Sequence, residues 1–332
     1  MTNHPQEQQS GFLSEVGKQI FFLLARTIHL LPLRGAYALG HLFGRLSPYI
    51  SAKQYRRMCA DIAISFGETM TEAEMSALAR AAAMRLSESL IEFLRLPHMS
   101  REAVLRMGRI EGMEHIEHAL GHGHGVILLT GHLGNWELAG TLMGLSQYKT
   151  TAVARAQNDT GFTDLLNRMR ETHGVKIIPM TDIRGCIRVL QRNECLAILG
   201  DLNARAPGVF VNFFGRPAAT YAGVAYLAHT TGAVVLPGFD ERLPDNTHRV
   251  VIQPPIPTSH TGDRQHDLLV TMVRVQQVIE QAVRARPADW YWLLQRWRTR
   301  PEDVPNPERI PMEHRDLTHE ESLEIRNWCA DE

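Results

Sequence analysis

The run Gly125-Val126-Ile127-Leu128-Leu129-Thr130-Gly131 leads directly into His132-Leu133-Gly134-Asn135-Trp136-Glu137. This junction constrains the fold more than any other stretch of the chain. A short, uninterrupted aliphatic run reads as a buried strand, and Trp136 to Leu145 reads as the helix after it. Strand, glycine-rich turn and helix in that order make the unit of an open α/β sheet. Chemistry on such sheets is built at the carboxyl edge, where His132 falls.

Similar units recur. Strands are predicted at 125–130, 150–154, 176–178, 196–199, 233–238 and 249–252, with helices at 162–173, 183–192, 221–230 and 267–285 between or after them. Thr71 and Glu74 form a capping box that opens a helix running to about Leu96, where Pro97 stops it. Alternation of this kind predicts an α/β fold with a mixed, largely parallel sheet flanked by helices.

On a continuous helix, five residues at about 100° each would leave His132 and Glu137 roughly 140° apart. They meet only if His132 lies in the turn, which Gly131, Gly134 and Asn135 supply. Glu137 is then expected to hydrogen-bond one imidazole nitrogen, leaving the other as a general base. His118, His122 and His124 lie nearby, but the spacing is not His-Glu-x-x-His, and the glycines around His122 and His124 read as a turn. No metal is expected.

Arg155 and Asp201 follow the second and fourth predicted strands, so both are expected on the same edge as His132. Phe213 and Phe214 sit in a predicted loop that could line an apolar channel or anchor itself in the core. Trp290 to Arg300 interleaves aromatics with arginines, a pattern that suits a membrane interface or helix packing better than nucleic acid.

With 332 residues, 44% of them hydrophobic, and a net charge of −1, the chain can bury a large core and lacks the basic surplus of a nucleic-acid binder. Its four cysteines include no C-x-x-C pair, which fits a reducing compartment. The charge is unevenly distributed. Residues 16–60 hold seven basic and no acidic residues, together with apolar runs broken by Pro32. No uncharged apolar stretch of about 18 residues occurs, so residues 1–60 are read as basic helices lying on an anionic membrane surface rather than crossing it. Residues 61–305 then form the main domain. Residues 306–332 form an acidic tail, with seven acids against two arginines from 313 onward.

Taken together, these blocks resemble the bacterial lipid A biosynthesis (lauroyl/myristoyl) acyltransferases, within the lysophospholipid acyltransferase superfamily. The resemblance is carried by Thr130-Gly131-His132-x-Gly134-Asn135-Trp136-Glu137, by Arg155 with Asn158, and by Arg170 with Gly174. It continues in Asp201-x-Asn203, Gly208 to Val211, Phe213-Phe214-Gly215-x-Pro217-Ala218 and Trp290-x-Trp292-Leu293 with Arg296-Trp297. Leu202 and Gln295 depart from the usual residues, and the N-terminal apolar anchor is interrupted. The resemblance implies a glycerol-3-phosphate acyltransferase-like fold. It implies transfer of a fatty acyl chain from acyl carrier protein or coenzyme A to a hydroxyl of a lipid A precursor, with no other cofactor. His132 would be the base and Glu137 its partner. Asn135, Arg155, Asn158, Arg170, Asp201, Asn203, Phe214 and Gly215 would bind substrate. The expected location is the cytoplasmic face of the bacterial inner membrane, peripheral or monotopic. Other readings are a different glycolipid or lysophospholipid acceptor, a His/Glu hydrolase of acyl esters or thioesters, and a non-catalytic membrane-binding protein.

Overall fold

The computed structural model describes residues 26–156 and 159–328. The apolar run at 20–25 and the candidate Asn158 lie outside the described residues. Helices α1 (Leu33–Ile50), α2 (Ala52–Phe66), α3 (Glu72–Arg95) and the short α4 (Arg101–Leu105) come first. They are followed by β1 (Gly108–Glu111), α5 (Met113–Leu120), β2 (Val126–Thr130), α6 (Trp136–Gly144), β3 (Thr150–Ala154), α7 (Thr160–Glu171) and β4 (Lys176–Pro179). Next are α8 (Ile183–Gln191), β5 (Cys195–Leu199), β6 (Val209–Phe213), β7 (Arg216–Thr220) and α9 (Gly223–Thr231). The chain continues through β8 (Val234–Arg242), β9 (His248–Ile252), α10 (Arg264–Ala285), α11 (Glu313–Asp316) and α12 (His319–Trp328).

Seven strands form one sheet in the order β1-β9-β8-β2-β5-β3-β4. Every pairing is parallel except β8 with β9, so the sheet is mixed and largely parallel. Successive side chains on β2 alternate between two cores. Ile127 and Leu129 join Leu196 and the α10 residues Val275 and Ile279, while Val126 and Leu128 join Leu138 and Leu142 of α6. Burial on both faces explains why the run carries no polar residue until Thr130.

The capping box that begins α3 is present: the Thr71 and Glu74 side chains each accept from the other residue's backbone amide. Three features differ from the sequence expectation. The edge strand β1 was not predicted, because Arg109 and Glu111 interrupt its apolar pattern and pair with each other at 2.8 Å. The segment around Phe213 and Phe214 is a β-hairpin rather than a loop. Its two-residue turn places Phe214 at φ 51° and Gly215 at φ 73°, with Phe213 paired to Arg216. A phenylalanine is a poor signal for such a turn, which normally recruits Asn, Asp or Gly. The described part of the acidic C-terminal segment is packed, not loose, because Leu317 and Ile325 are buried in the main core.

A set of buried charges joins α3 to β8 and β9. Glu92 is fully buried and receives Arg242 through two hydrogen bonds, of 2.6 and 2.7 Å. His248 lies between two carboxylates, 2.8 Å from Asp240 and 3.3 Å from Glu92. The Tyr37 hydroxyl of α1 donates to Glu92 as well. Burial alone would push Glu92 up, but the hydrogen bonds from His248 and Arg242 outweigh it and hold Glu92 at about 2. Burial likewise opposes the charged form of His248, yet Asp240 and Glu92 raise it to about 9.

These two directions set a pH window. The His248 contribution is complete below its unfolded value of 6.5 and is lost as pH rises through about 9. The Glu92 contribution is complete above 4.5 and is lost as pH falls through about 2. The His248 shift corresponds to at most about 3 kcal/mol. Urea unfolding between pH 6.5 and 9.5 should therefore show stability falling, with a shallower fall in His248→Gln. Identical pH profiles for the two proteins would contradict the ion-paired state of His248.

Candidate active site

Strands β2 and β5 are adjacent and parallel, with Thr130 opposite Leu199. The ladder continues one step further, since the Gly200 amide donates to the Thr130 carbonyl at 2.8 Å. Two residues beyond each strand end, His132 and Asp201 therefore emerge side by side. The Asp201 Oδ1 lies 2.8 Å from His132 Nδ1, and Oδ2 accepts from the His132 backbone amide at 2.7 Å. Trp290 Nε1 donates to the same Oδ2 at 2.9 Å.

Asp201 is fully buried. Burial would raise its carboxyl, but the charge and hydrogen bonds of His132, with Trp290, bring it below the usual carboxylate value. A carboxylate at Nδ1 assigns the proton of the neutral ring to that nitrogen and leaves Nε2 as the base. The imidazole side chain keeps 16% exposure at this edge. The rings of Trp136 and Tyr291 flank it, at centroid distances of 4.9 and 6.0 Å.

The carboxylate on the imidazole is thus Asp201, not Glu137. Glu137 instead takes Arg170 of α7 in a bidentate pair, with contacts of 2.6 and 2.9 Å. The physical reason is geometric. Trp136, the first residue of α6, packs its ring against the imidazole, while the register of β2 and β5 brings Asp201 to Nδ1. Sequence reasoning put Asp201 on the correct edge but did not pair it with His132, because no short spacing links residues 69 positions apart.

The other candidate residues have the following surroundings. Asn135 is buried and caps α6: its Oδ1 accepts from the Leu138 amide, and its Nδ2 donates to Glu92 at 2.7 Å. Asn203 and Thr299 exchange hydrogen bonds at 3.0 and 3.1 Å, which ties the loop after β5 to the C-terminal segment. Phe214 is buried between Phe66 and Phe213, with the Arg284 guanidinium over its ring. Gly215 forms the hairpin turn beside it. Arg155 is exposed just beyond β3. His118 and His122 meet edge to face at 5.0 Å. Among the described residues, no group of three or more His, Cys, Asp or Glu side chains is arranged to hold a metal ion.

Residues missed by the sequence reading complete the site. Trp290 anchors Asp201, and the Tyr291 amide donates to the His132 carbonyl at 2.8 Å. Arg296 is fully buried, and burial lowers it to about 10. It donates to the Ala219 carbonyl at 2.7 Å and to Gln276 at 3.0 Å, and Gln276 in turn donates to the Gly200 carbonyl at 2.8 Å. The aromatic-arginine segment is visible in the sequence as a pattern, but nothing in it marks Trp290 as the partner of Asp201.

The sequence pattern of the family described as bacterial lipid A biosynthesis acyltransferase matches residues 6–299. Over 207 residues the chain is 28% identical to the lipid A biosynthesis lauroyltransferase of Escherichia coli, covering 61% of this chain and 66% of that protein. It is also 28% identical over 217 residues to the phosphatidylinositol mannoside acyltransferase of Mycobacterium tuberculosis, covering 62% and 66%. A lipid A biosynthesis acyltransferase of Haemophilus influenzae matches at 25% identity over 285 residues, or 84% of this chain and 89% of that protein. The first two matches span just under two thirds of those relatives' lengths. With the family pattern covering most of its length, this chain belongs to the bacterial lipid A biosynthesis acyltransferase family.

Proposed function

We propose that this protein moves a fatty acyl chain from an acyl thioester, carried by acyl carrier protein or coenzyme A, to a hydroxyl of a lipid A precursor. The observation that carries this reading is the Asp201–His132 pair at 2.8 Å, at the strand edge of a chain in this family. His132 Nε2 takes the proton of the acceptor hydroxyl as its oxygen attacks the thioester carbonyl. The tetrahedral intermediate collapses with cleavage of the C–S bond. The departing thiolate then takes the proton back from the imidazolium, which Asp201 stabilises. Glu137 and Arg170 brace the first turn of α6 beside Trp136.

A second acceptor class is favoured by a specific observation. A relative named as a phosphatidylinositol mannoside acyltransferase matches as well as the lauroyltransferase. Purified protein should be offered both thioester donors with a lipid A precursor or a phosphatidylinositol mannoside, and products read by mass spectrometry. Acylated lipid A precursor is expected. Free fatty acid forming without any acceptor would support the hydrolase reading instead.

His132→Ala and Asp201→Asn should each lower the transfer rate by about 10² to 10⁴-fold. Glu137→Gln should cost less than Asp201→Asn, because it leaves the partner of the imidazole intact. Near-full activity in Asp201→Asn, with severe loss in Glu137→Gln, would overturn the assignment of the orienting carboxylate.

The membrane face that best suits this activity is α1. Leu42, Phe43, Leu46, Tyr49 and Ile50 are exposed along it, with Arg34, Arg45, Lys53, Arg56 and Arg57 exposed on α1 and α2. Among the described residues, no helix is long and apolar enough to cross a membrane. The pattern fits an interfacial helix on an anionic surface, at the cytoplasmic face of the inner membrane. Each apolar side chain taken into lipid contributes up to about 1.5–3 kcal/mol. The double variant Leu42→Glu and Phe43→Glu should therefore weaken binding to anionic vesicles at least about tenfold. High salt should weaken binding of the unaltered protein without abolishing it. Equal sedimentation of both proteins with vesicles would refute α1 as the contact.

A further inference from the structure

Three backbone amides of the turn that carries His132 have specific partners. The His132 amide donates to Asp201, Gly134 donates to the Asp289 carbonyl at 2.9 Å, and Asn135 donates to Asp240 Oδ2 at 2.7 Å. Gly134 adopts φ 63°, and a Cβ there would lie 2.5 Å from Asp240 Oδ2. The Asn135 side chain donates to Glu92 Oε2 at 2.7 Å. Two carboxylates from outside the βα unit, Asp240 of β8 and Glu92 of α3, therefore grip the turn from behind.

These carboxylates are costly to place there. Glu92, Asp240 and His248 are essentially unexposed, and Arg242 is 4% exposed in its side chain. A buried ionic network of this size is often no more stable than apolar side chains of the same volume. Stability alone is therefore weak grounds for keeping it. What distinguishes it from a simple ion-pair cluster is its orientation: Arg242 and His248 neutralise the carboxylates, and each carboxylate also accepts a hydrogen bond from Asn135.

We infer that Glu92 and Asp240 are positioning residues for the reaction, which set the His132 turn through Asn135. The inference rests on His132 acting as proposed above. Arg242 and His248 hold the two carboxylates in place by ion pairs and hydrogen bonds, and Asn135 converts that fixed point into the direction of the turn and the start of α6. Tyr37 of α1 also donates to Glu92, through the carboxylate oxygen opposite the one that meets Asn135, and accepts from Arg242.

Asn135→Ser tests this. Serine keeps the capping oxygen of α6 but is too short to reach Glu92. The transfer kcat should fall about 10²-fold with KM changed less than about threefold, because an ångström of misplacement has that effect on rate. The 1H–15N resonances of the His132 ring should move, while the melting temperature changes little. Asp267→Asn, which weakens the buried cap of α10 away from this network, should leave kcat unchanged. An unchanged kcat in Asn135→Ser, or equal losses in both variants that follow their melting temperatures, would overturn the inference. If the unaltered protein transfers no acyl group to any acceptor tried, the ring resonances still decide: movement in Asn135→Ser alone supports positioning, and no movement refutes it.

Discussion

The parallel pairing of β2 with β5 is the constraint on which the site depends. Because Thr130 and Leu199 are in register, two residues from distant parts of the sequence leave the sheet together. That register brings His132 within reach of Asp201, and the turn between β2 and α6 then sets the direction of the ring. A one-residue slip in that ladder would turn the side chains of the slipped strand to the opposite faces and separate the pair. The fully buried Ile127, Leu129 and Leu196 therefore do more than fill the core: they fix the register that fixes the dyad.

Around this pair the molecule concentrates its buried polarity. Asp201 is satisfied by the His132 amide, the imidazole and the Trp290 indole, so its charge is stabilised without solvent. Behind the turn, Glu92, Arg242, His248 and Asp240 form a second polar layer, and Arg296 with Gln276 forms a third on the side of Gly200. Such groups are tolerable in a core only when each is hydrogen-bonded, and their value lies in direction rather than in net stabilisation. The segment from Pro287 to Arg296, which follows α10, contributes to the site through Trp290, Tyr291 and Arg296. The C-terminal region therefore participates in the site instead of merely closing the fold.

Much of this was legible in the sequence. The aliphatic runs at 126–129 and 196–199 are short, uninterrupted and followed by turn residues, which is what strands between two layers require. His132 at the end of one such run marked the edge of the sheet. Other features were hidden for identifiable reasons. Strand β1 is charged and lies at the edge of the sheet, and the β6–β7 hairpin turns through a phenylalanine. Glu137 was read as the partner of His132 because it is near in sequence, whereas the pairing is made across the sheet. Local spacing cannot reveal a contact between residues 132 and 201. Only the strand order does, and that order follows from tertiary packing.

The central claim is that Asp201, and not Glu137, holds the imidazole with its proton on Nδ1. Nitrogen-15 NMR of His132 in the folded protein, at a pH where the ring is neutral, reads this directly. The expected result is an Nδ1-protonated tautomer that persists in Glu137→Gln and is lost or mixed in Asp201→Asn. A tautomer that changes with Glu137→Gln and is indifferent to Asp201→Asn would contradict it.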